Sequence, residues 1–338
     1  MSAPSLPWFA PVDAAPLLFA LDASRAFAAQ VGQEIGLALS AHEVREFEDG
    51  EHKARPLVNV RGRDVYVLHS LHGDGQHSAN DKLCRLLFFI GALKDAAAGR
   101  VTALVPYLAY ARKDRKTKPR DPVTTRYVAA LFEAVGADVV VTIDVHNLAA
   151  FQNAFRCRTE HLEANALFVD YFAAQRGERE LVVVAPDAGG VHRMERLRQG
   201  LARALGKPVG AAFCEKHRSG GVVSGELLVG DLAGKDAIIV DDMVSSGATL
   251  ARAAQACRGH GARAVCAAAT HGLLAGDAAT LLADSALEEL VITDTVASAG
   301  LAAAMATGKL RTLGCAGLFA QAIARLHGGG SLVALMDA

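Results

Sequence analysis

Residues 237–250 read Ala237-Ile-Ile-Val-Asp-Asp-Met-Val-Ser-Ser-Gly-Ala-Thr-Leu250. The apolar, β-branched beginning predicts a strand, and the helix formers from Leu250 onward predict a helix after a loop of small residues. Small side chains let backbone N–H groups converge on an anion at the positive end of that helix. Asp241 and Asp242 end the strand, where open α/β sheets bind ligands. We therefore expect a phosphorylated sugar whose hydroxyls face the two acids; the alternative is a solvated turn.

The composition limits the class of protein. The chain has 338 residues, of which 51% are hydrophobic and 21% charged, so two domains with a large core are expected. Its 35 basic and 36 acidic residues nearly cancel, which disfavours nucleic acid as a partner. The six cysteines lack regular spacing, which predicts reduced thiols. There is no secretory signal, and no uncharged apolar run reaches the roughly 18 residues that span a bilayer. We expect a soluble, cytoplasmic protein without a membrane partner.

Strand-like apolar runs alternate with helical patterns through both halves of the chain, which predicts an α/β fold with parallel sheets. We expect two similar domains that abut closely, each a mainly parallel sheet flanked by helices. The predicted domains are residues 1–158 and 159–312, and a last helix within 313–338 is expected to pack back on the first. Strands are predicted at residues 16–21, 64–69, 101–110, 139–143, 180–185, 207–213, 263–271 and 289–295, besides the one ending in Asp242.

A basic segment, Ala111-Arg-Lys-Asp-Arg-Lys-Thr-Lys-Pro-Arg-Asp-Pro122, directly follows the third of these strands. A run of charges is usually a solvated face, but after a buried strand it would lie at the mouth of a sheet crevice, where it suits a polyphosphate. Asp144 and His146 end the next strand. Residues two apart on an extended end point the same way, so this pair could meet a metal–phosphate complex or could simply lie at the surface.

Three more segments carry candidate residues. Phe47 and the acids beside it surround Asp49-Gly50, a hairpin-turn signal, and they would also suit a nucleobase. Asp187 precedes two glycines and a predicted helix that begins near Val191. Lys216 and Arg218 precede Gly220-Gly221, which predicts a mobile basic loop. No P-loop, dinucleotide fingerprint, zinc spacing or G-x-S-x-G motif is present.

These segments, in this order, resemble the ribose-phosphate pyrophosphokinases (phosphoribosyl pyrophosphate synthetases), and the resemblance spans nearly the whole chain. It implies two phosphoribosyltransferase-type domains, with ATP bound on the first and ribose 5-phosphate on the second. The implied reaction is Mg²⁺-dependent transfer of the β,γ-diphosphoryl group of ATP to O1 of ribose 5-phosphate, which releases AMP. The segments are Phe47-Glu-Asp-Gly-Glu51, residues 105–116, Pro119-Arg-Asp-Pro122, Thr142-Ile-Asp-Val-His146, Pro186-Asp-Ala-Gly-Gly190, Lys216-His-Arg218 and residues 240–249.

The resemblance also implies a role for each matching residue. Lys216 and Arg218 would be catalytic and would close over the reacting phosphates. The metal ligands would be Asp144, His146 and Asp187. The chain would form a homo-oligomer with a shared active site, because residues 47–51 would reach the adenine of a neighbouring subunit. The implied ATP-binding residues are Phe47, Asp49, Glu51, Arg112, Lys113, Asp114 and His146; those for ribose 5-phosphate are Asp187, Asp241, Asp242, Ser245, Ser246, Gly247, Ala248 and Thr249.

The chain departs from the family pattern at a few positions, which indicates a divergent branch. Lys113 stands where many members carry Gln, Ser245 where many carry an acid, and Glu48 where a small polar residue is usual. Two rival functions are weighed. A non-catalytic regulatory paralogue would be expected to lose the cations or the Asp-x-His motif, which this chain keeps. A phosphoribosyltransferase would leave the features on the ATP side unexplained.

Overall fold

The structure is a computed structural model that describes residues 15–219 and 222–335. The strands are β1 (Leu17–Ala20), β2 (His42–Glu46), β3 (His52–Pro56), β4 (Asp64–Leu68), β5 (Arg100–Leu104), β6 (Val139–Ile143), β7 (Arg158–Leu162), β8 (Leu181–Ala185), β9 (Gly210–Ser219), β10 (Val222–Val229), β11 (Asp236–Val244), β12 (Ala264–Gly272), β13 (Glu289–Thr293) and β14 (Leu310–Leu313). The helices are α1 (Arg25–Glu34), α2 (Ala79–Asp95), α3 (Thr124–Ala134), α4 (Leu148–Ala154), α5 (Asn165–Arg176), α6 (Val191–Leu205), α7 (Ala248–Gly259), α8 (Ala278–Asp284), α9 (Leu301–Ala306) and α10 (Ala316–Gly328).

Two parallel sheets dominate the fold, and the predicted α/β class is confirmed. The first has the order β1-β4-β5-β6-β7, and all its strands are parallel. The second has the order β10-β9-β8-β11-β12-β13-β14 and is parallel except for its edge strand β10. The central strands are largely apolar because helices cover both faces of a parallel sheet. Strand β8 is buried at every residue.

The two sheets share one apolar layer. Buried side chains of the first sheet, such as Leu104 and Ile143, belong to the same hydrophobic cluster as Val183 and Ile238 of the second. Helices α1, α5, α6 and α10 fill the space between them, and Phe172 of α5 and Phe319 of α10 are buried there. The continuous layer accounts for the absence of a flexible linker in the sequence. The exact domain boundaries proposed from the sequence stay predictions.

The predicted last helix corresponds to α10, which packs against α1 of the first half. Phe27 and Phe319 meet edge to face, with ring centroids 5.6 Å apart. Arg100 donates to the carbonyl of Leu326 at 2.9 Å and to Asp64 at 2.8 Å and 2.5 Å. His327 lies 2.8 Å from Asp64. A polar cluster at the base of β4 and β5 therefore holds the end of α10.

Some sequence predictions of local structure were wrong. The segment predicted as a basic loop is part of β9, which pairs in antiparallel fashion with β10. Strand β5 ends at Leu104 instead of continuing to residue 110, since Pro106 cannot donate to the sheet. Helix α2 begins at Ala79 because Ser78 and Asp81 form a capping box around its first turn. No helix in residues 15–219 and 222–335 is long and apolar enough to cross a membrane.

The cluster around Asp64 makes a prediction about stability. Burial alone would raise the pKa of Asp64, but hydrogen bonds from Arg100 and His327 outweigh burial and lower the pKa below its ordinary 3.8. Replacing Asp64 with Asn leaves Arg100 without its carboxylate. We expect the free energy of unfolding at pH 7 to fall by about 2–3 kcal/mol, measured by urea unfolding.

The direction of the pKa shift of Asp64 determines how this loss of stability depends on pH. A carboxylate with a depressed pKa stabilises the folded protein above its ordinary pKa, and the contribution is lost as pH falls below that value. The difference between the parent and Asp64→Asn should therefore shrink as pH drops below about 4. Asp170→Asn on the exposed face of α5 is the control. A loss of the same size in the control would contradict the assignment.

Candidate active site

The carboxyl ends of both sheets open onto one crevice of about 1390 Å³. Pockets for a single small molecule are usually roughly 300–1000 Å³, so this crevice has room for more than one such molecule. The segments after β5 and β6 form the wall contributed by the first half. The segments after β8 and β11 form the opposite wall, contributed by the second half.

Strand β11 carries Asp241 and Asp242 into this crevice. It pairs with β8 on one side and β12 on the other, so the acids lie on a rigid element. Burial and the neighbouring charge of Asp242 raise the pKa of Asp241 to about 7. Burial also acts to raise the pKa of Asp242, but its hydrogen bond with His146 and the charge of Arg193 lower that pKa well below the ordinary range. The two neighbouring carboxylates thus resist carrying two full charges, and hydroxyl donors from a ligand would stabilise the charged forms.

The loop after β11 is a tight turn at the start of α7. Helix α7 begins at Ala248, two residues earlier than predicted, so Ala248 and Thr249 are in its first turn. Gly247 precedes it with φ +81°, a left-handed conformation that glycine adopts without strain. The free N–H groups and the positive end of this helix meet at residues 245–249, which line the crevice. The position of this loop is compatible with an anion cradle, and binding of a phosphate there stays a prediction.

His146 joins the two walls. Its Nδ1 lies 2.8 Å from Oδ2 of Asp242, and this hydrogen bond raises the pKa of His146. Asp187, at the end of β8, also lines the crevice, and its carboxylate accepts from the N–H of Gly189 at 3.0 Å. The residues predicted separately at the ends of three strands are thus brought together around one space.

Asp144 is held in an uncommon conformation by contacts with the second half. Its φ is +42°, and its Oδ2 accepts from the N–H of Ala164 at 3.0 Å and from Oγ1 of Thr270 at 2.6 Å. The adjoining carbonyl of Ile143 bonds to Nε2 of His271 at 3.0 Å. Asp144 also lines the crevice, so the oxygen left to face a ligand is Oδ1.

The basic segment enters the crevice only in part. Arg112, Asp114 and Arg115 line it, and Asp114 accepts from the side-chain amide of Asn147 at 2.6 Å. Lys113 does not belong to the lining and forms an ion pair with Asp121 at 3.1 Å. Its contact with ATP stays a prediction.

Two further groups of predicted residues are not part of the described crevice lining. Phe47, Asp49 and Glu51 are exposed in the turn between β2 and β3, where Arg45 covers the Phe47 ring at 5.2 Å, and they do not line the crevice. The backbone of Lys216 and Arg218 belongs to β9. Their side chains lie outside the part of the chain that the structure describes, so their catalytic role stays a prediction.

The carboxylates suit a hard cation such as Mg²⁺. Within residues 15–219 and 222–335, no three His, Cys, Asp or Glu side chains form a ready-made metal cluster. Mg²⁺ does not need one, because it keeps several waters and binds one or two carboxylates together with substrate phosphates. Asp187 and the remaining oxygen of Asp144 are oxygen donors of that kind.

Sequence reasoning missed two arginines near the start of α6. Arg193 faces Asp241 and Asp242 at 3.6 Å each, and Arg196 pairs with Glu163 at 2.5 Å. Both arginines line the crevice. The sequence did hold a signal, since cations are unfavourable near the positive end of a helix and need another reason to be there.

Comparisons with known proteins agree on one family. Residues 17–136 match the model for the N-terminal domain of ribose phosphate pyrophosphokinase, and residues 225–337 match the phosphoribosyl synthetase-associated domain. The chain is 37% identical over 316 residues to a ribose-phosphate pyrophosphokinase of Caldanaerobacter subterraneus, covering 93% of this chain and 96% of that one. It is 38% identical over 323 residues to the enzyme of Brucella melitensis, covering 95% and 99%. The crystal structure of phosphoribosylpyrophosphate synthetase from Mycobacterium smegmatis superposes with a TM-score of 0.82 at 35% identity, covering 93% and 99%.

The geometry of Gly247 makes a prediction for the loop. Gly247→Ala would force a side chain into the left-handed region, although no atom lies nearer than 3.9 Å to the new Cβ. We expect a loss of about 1–2 kcal/mol in the free energy of unfolding from backbone strain alone. Gly259→Ala in the same helix is the control, because its Cβ meets nothing and its backbone is not left-handed. Urea unfolding of both variants measures the difference, and equal stabilities would contradict the strain argument.

Proposed function

The chain belongs to the ribose-phosphate pyrophosphokinase family, and we propose that its central crevice is the place where the diphosphoryl group of ATP is transferred to ribose 5-phosphate. Oxygen O1 of the sugar attacks the β-phosphorus, and the bond from that phosphorus to the oxygen bridging the α-phosphate breaks. AMP leaves, and phosphoribosyl pyrophosphate remains. Transfer of this kind needs in-line positioning and neutralisation of charge more than covalent help from the protein.

Ribose 5-phosphate occupies the wall formed by the second half. Residues 245–249 cradle its 5-phosphate at the positive end of α7. Asp241 and Asp242 accept hydrogen bonds from its 2- and 3-hydroxyls. Because both carboxylates sit on the part of β11 that stays paired with β12, the sugar is held with little freedom, and O1 points toward the opposite wall.

ATP occupies the wall formed by the first half. Arg112, which lines the crevice, supplies positive charge to the phosphates, and Asp144 and His146 face them from the end of β6. Lys216 and Arg218 approach from the second half and neutralise charge as the β-phosphorus is transferred. Mg²⁺, when bound with ATP by Asp144 and Asp187, would neutralise the phosphate oxygens.

The observation that supports this assignment best is the hydrogen bond of 2.8 Å between His146 and Asp242. It joins an ATP-side residue to a ribose-side residue. In a pyrophosphokinase the two substrates must meet within bonding distance, so their binding residues have to adjoin. A phosphoribosyltransferase would have no use for the basic wall opposite the sugar.

The exposed hairpin turn supports a shared site. Phe47, Asp49 and Glu51 are presented to solvent at the tip of a two-stranded element and lie apart from the crevice of their own chain. We propose that they contact the adenine bound to a neighbouring subunit, so that the active enzyme is a homo-oligomer.

Purified protein with ATP, Mg²⁺ and ribose 5-phosphate should produce AMP and phosphoribosyl pyrophosphate in equal amounts, as measured by anion-exchange chromatography. Asp241→Asn should reduce the rate strongly, because it removes an acceptor for a sugar hydroxyl. A regulatory paralogue would yield no AMP. A phosphoribosyltransferase would yield none either and would consume phosphoribosyl pyrophosphate when a base is added. Folded protein that releases no AMP would exclude the proposed reaction.

The role of the β9 cations can be separated from general folding effects. Lys216→Ala should lower kcat by about 10³-fold with little change in the affinity for ATP, because a cation that acts on developing charge contributes mainly to the transition state. Lys207→Ala, whose side chain bonds to the carbonyl of Arg179, should keep kcat near that of the parent. A kcat for Lys216→Ala within a few-fold of the parent would disprove the assigned role.

The shared site makes a prediction of complementation. Phe47→Ala impairs the donated hairpin, and Asp241→Asn impairs the crevice, so each variant alone should have low activity. Co-expressed mixed oligomers should regain activity, since some sites then combine an intact hairpin from one subunit with an intact crevice from another. Activity that stays at the level of the separate variants, in oligomers shown by mass spectrometry to be mixed, would contradict a shared site.

A further inference from the structure

Two arginines near the start of α6 face the crevice although the helix itself disfavours them. Arg193 and Arg196 lie three residues apart, so they project from the same side of the helix. The N-terminus of a helix carries partial positive charge, and a cation there is repelled. An anion that visits the crevice would offset this repulsion.

The two arginines differ in how they are held. Arg196 is fixed by an ion pair of 2.5 Å with Glu163. Arg193 lies 3.6 Å from Oδ1 of Asp241 and 3.6 Å from Oδ1 of Asp242, which is beyond normal hydrogen-bond range. In the described part of the chain it makes no shorter polar contact. It therefore balances the charge of both carboxylates without being bound tightly to either.

A bound sugar would compete with Arg193 for the same atoms. Two of the four carboxylate oxygens already accept hydrogen bonds. Oδ2 of Asp242 bonds to His146, and Oδ1 of Asp241, one of the two atoms that Arg193 faces, accepts from the N–H of Asp242. A hydroxyl that approaches Oδ1 of Asp242 to roughly 2.7–2.8 Å would take the position that Arg193 faces there. Once hydroxyls satisfy the carboxylates, the guanidinium is free to turn to another anion.

The nearest anion would then be the diphosphoryl group. O1 and the 2-hydroxyl of ribose are on adjacent carbons, so a group transferred to O1 arrives next to the hydroxyl that has displaced the arginine. A guanidinium presents paired donors that match two phosphate oxygens at once. We propose that Arg193 is a further substrate-binding residue, which neutralises Asp241 and Asp242 in the empty enzyme and moves to the diphosphoryl group when ribose 5-phosphate binds.

This inference rests on the proposed function and adds a consequence to it. Ribose 5-phosphate should increase the affinity of the crevice for a diphosphate, because it releases Arg193 for that ligand. By linkage the diphosphate should increase the affinity for ribose 5-phosphate by the same factor. The coupling belongs to binding alone and can be measured without turnover.

The test is calorimetric titration of inorganic diphosphate, with Mg²⁺ present, into the full-length protein with and without ribose 5-phosphate. We expect ribose 5-phosphate to tighten binding of diphosphate by about 10-fold in the parent. Arg193→Gln should bring that factor close to one, and Arg193→Lys should keep part of it, because lysine keeps the charge but loses the paired donors. Arg203→Gln, at an exposed position of the same helix, should keep the full factor.

The outcomes separate this inference from the proposed function. If the parent releases AMP in the enzymatic assay and Arg193→Gln keeps the full coupling, Arg193 has no such role and the proposed reaction stands. If the parent shows no coupling at all, the inference also fails. If the parent binds neither ligand and releases no AMP, the proposed function fails first. A melting temperature for Arg193→Gln near that of the parent ensures that lost coupling reflects the site.

Discussion

The shared apolar layer between the two sheets is the constraint on which the site depends. Helices α1, α5, α6 and α10 have their apolar faces in this layer, so neither sheet is fully covered without the other. Because the interior is close-packed, the carboxyl ends of both sheets are held at a fixed separation. The crevice is therefore a product of core packing, and its polar residues sit on strand ends that the core has already placed.

Polar contacts across the layer refine that placement. Nε2 of His271 meets the carbonyl oxygen of Ile143 at 3.0 Å; the carbonyl only accepts, so this nitrogen carries a proton, and Nδ1 lies 2.9 Å from Oγ1 of Thr295. Ser70 donates to the carbonyl of Thr295 at 2.6 Å. Asp144 keeps its left-handed conformation because Thr270 and the backbone of Ala164 bind its carboxylate. Asp144, which we propose faces ATP from the first half, is thus positioned by residues of the second half.

The sequence allowed prediction of the features that depend on local residue patterns. It did not reveal the direction in which individual side chains point. Alternating apolar runs predicted most strands and helices, and small residues after two acids predicted the loop at 245–249. The sequence could not reveal that Lys113 turns to Asp121 while its neighbours Arg112 and Asp114 enter the crevice, because side-chain direction in an irregular segment is set by distant contacts. Residues 214–219 were misjudged because their charges and the glycines that follow suggest a loop, whereas pairing at a sheet edge tolerates charges. Arg193 was overlooked since its partners are far away in the chain.

The shared layer also bears on how such a chain can change over time. If the two halves arose as copies of one ancestral unit, they are no longer independent of each other. A gene fragment encoding either half would produce a protein with its share of the apolar layer uncovered, and large exposed apolar surfaces lead to aggregation. Thr270 bonds to Asp144, so a substitution at Thr270 alters the surroundings of Asp144. Sequence changes in one half therefore have to be compensated by changes in the other half. In laboratory recombination of relatives, the two residues of the Asp144–Thr270 pair should come from the same parent, and so should the two residues of the His146–Asp242 pair.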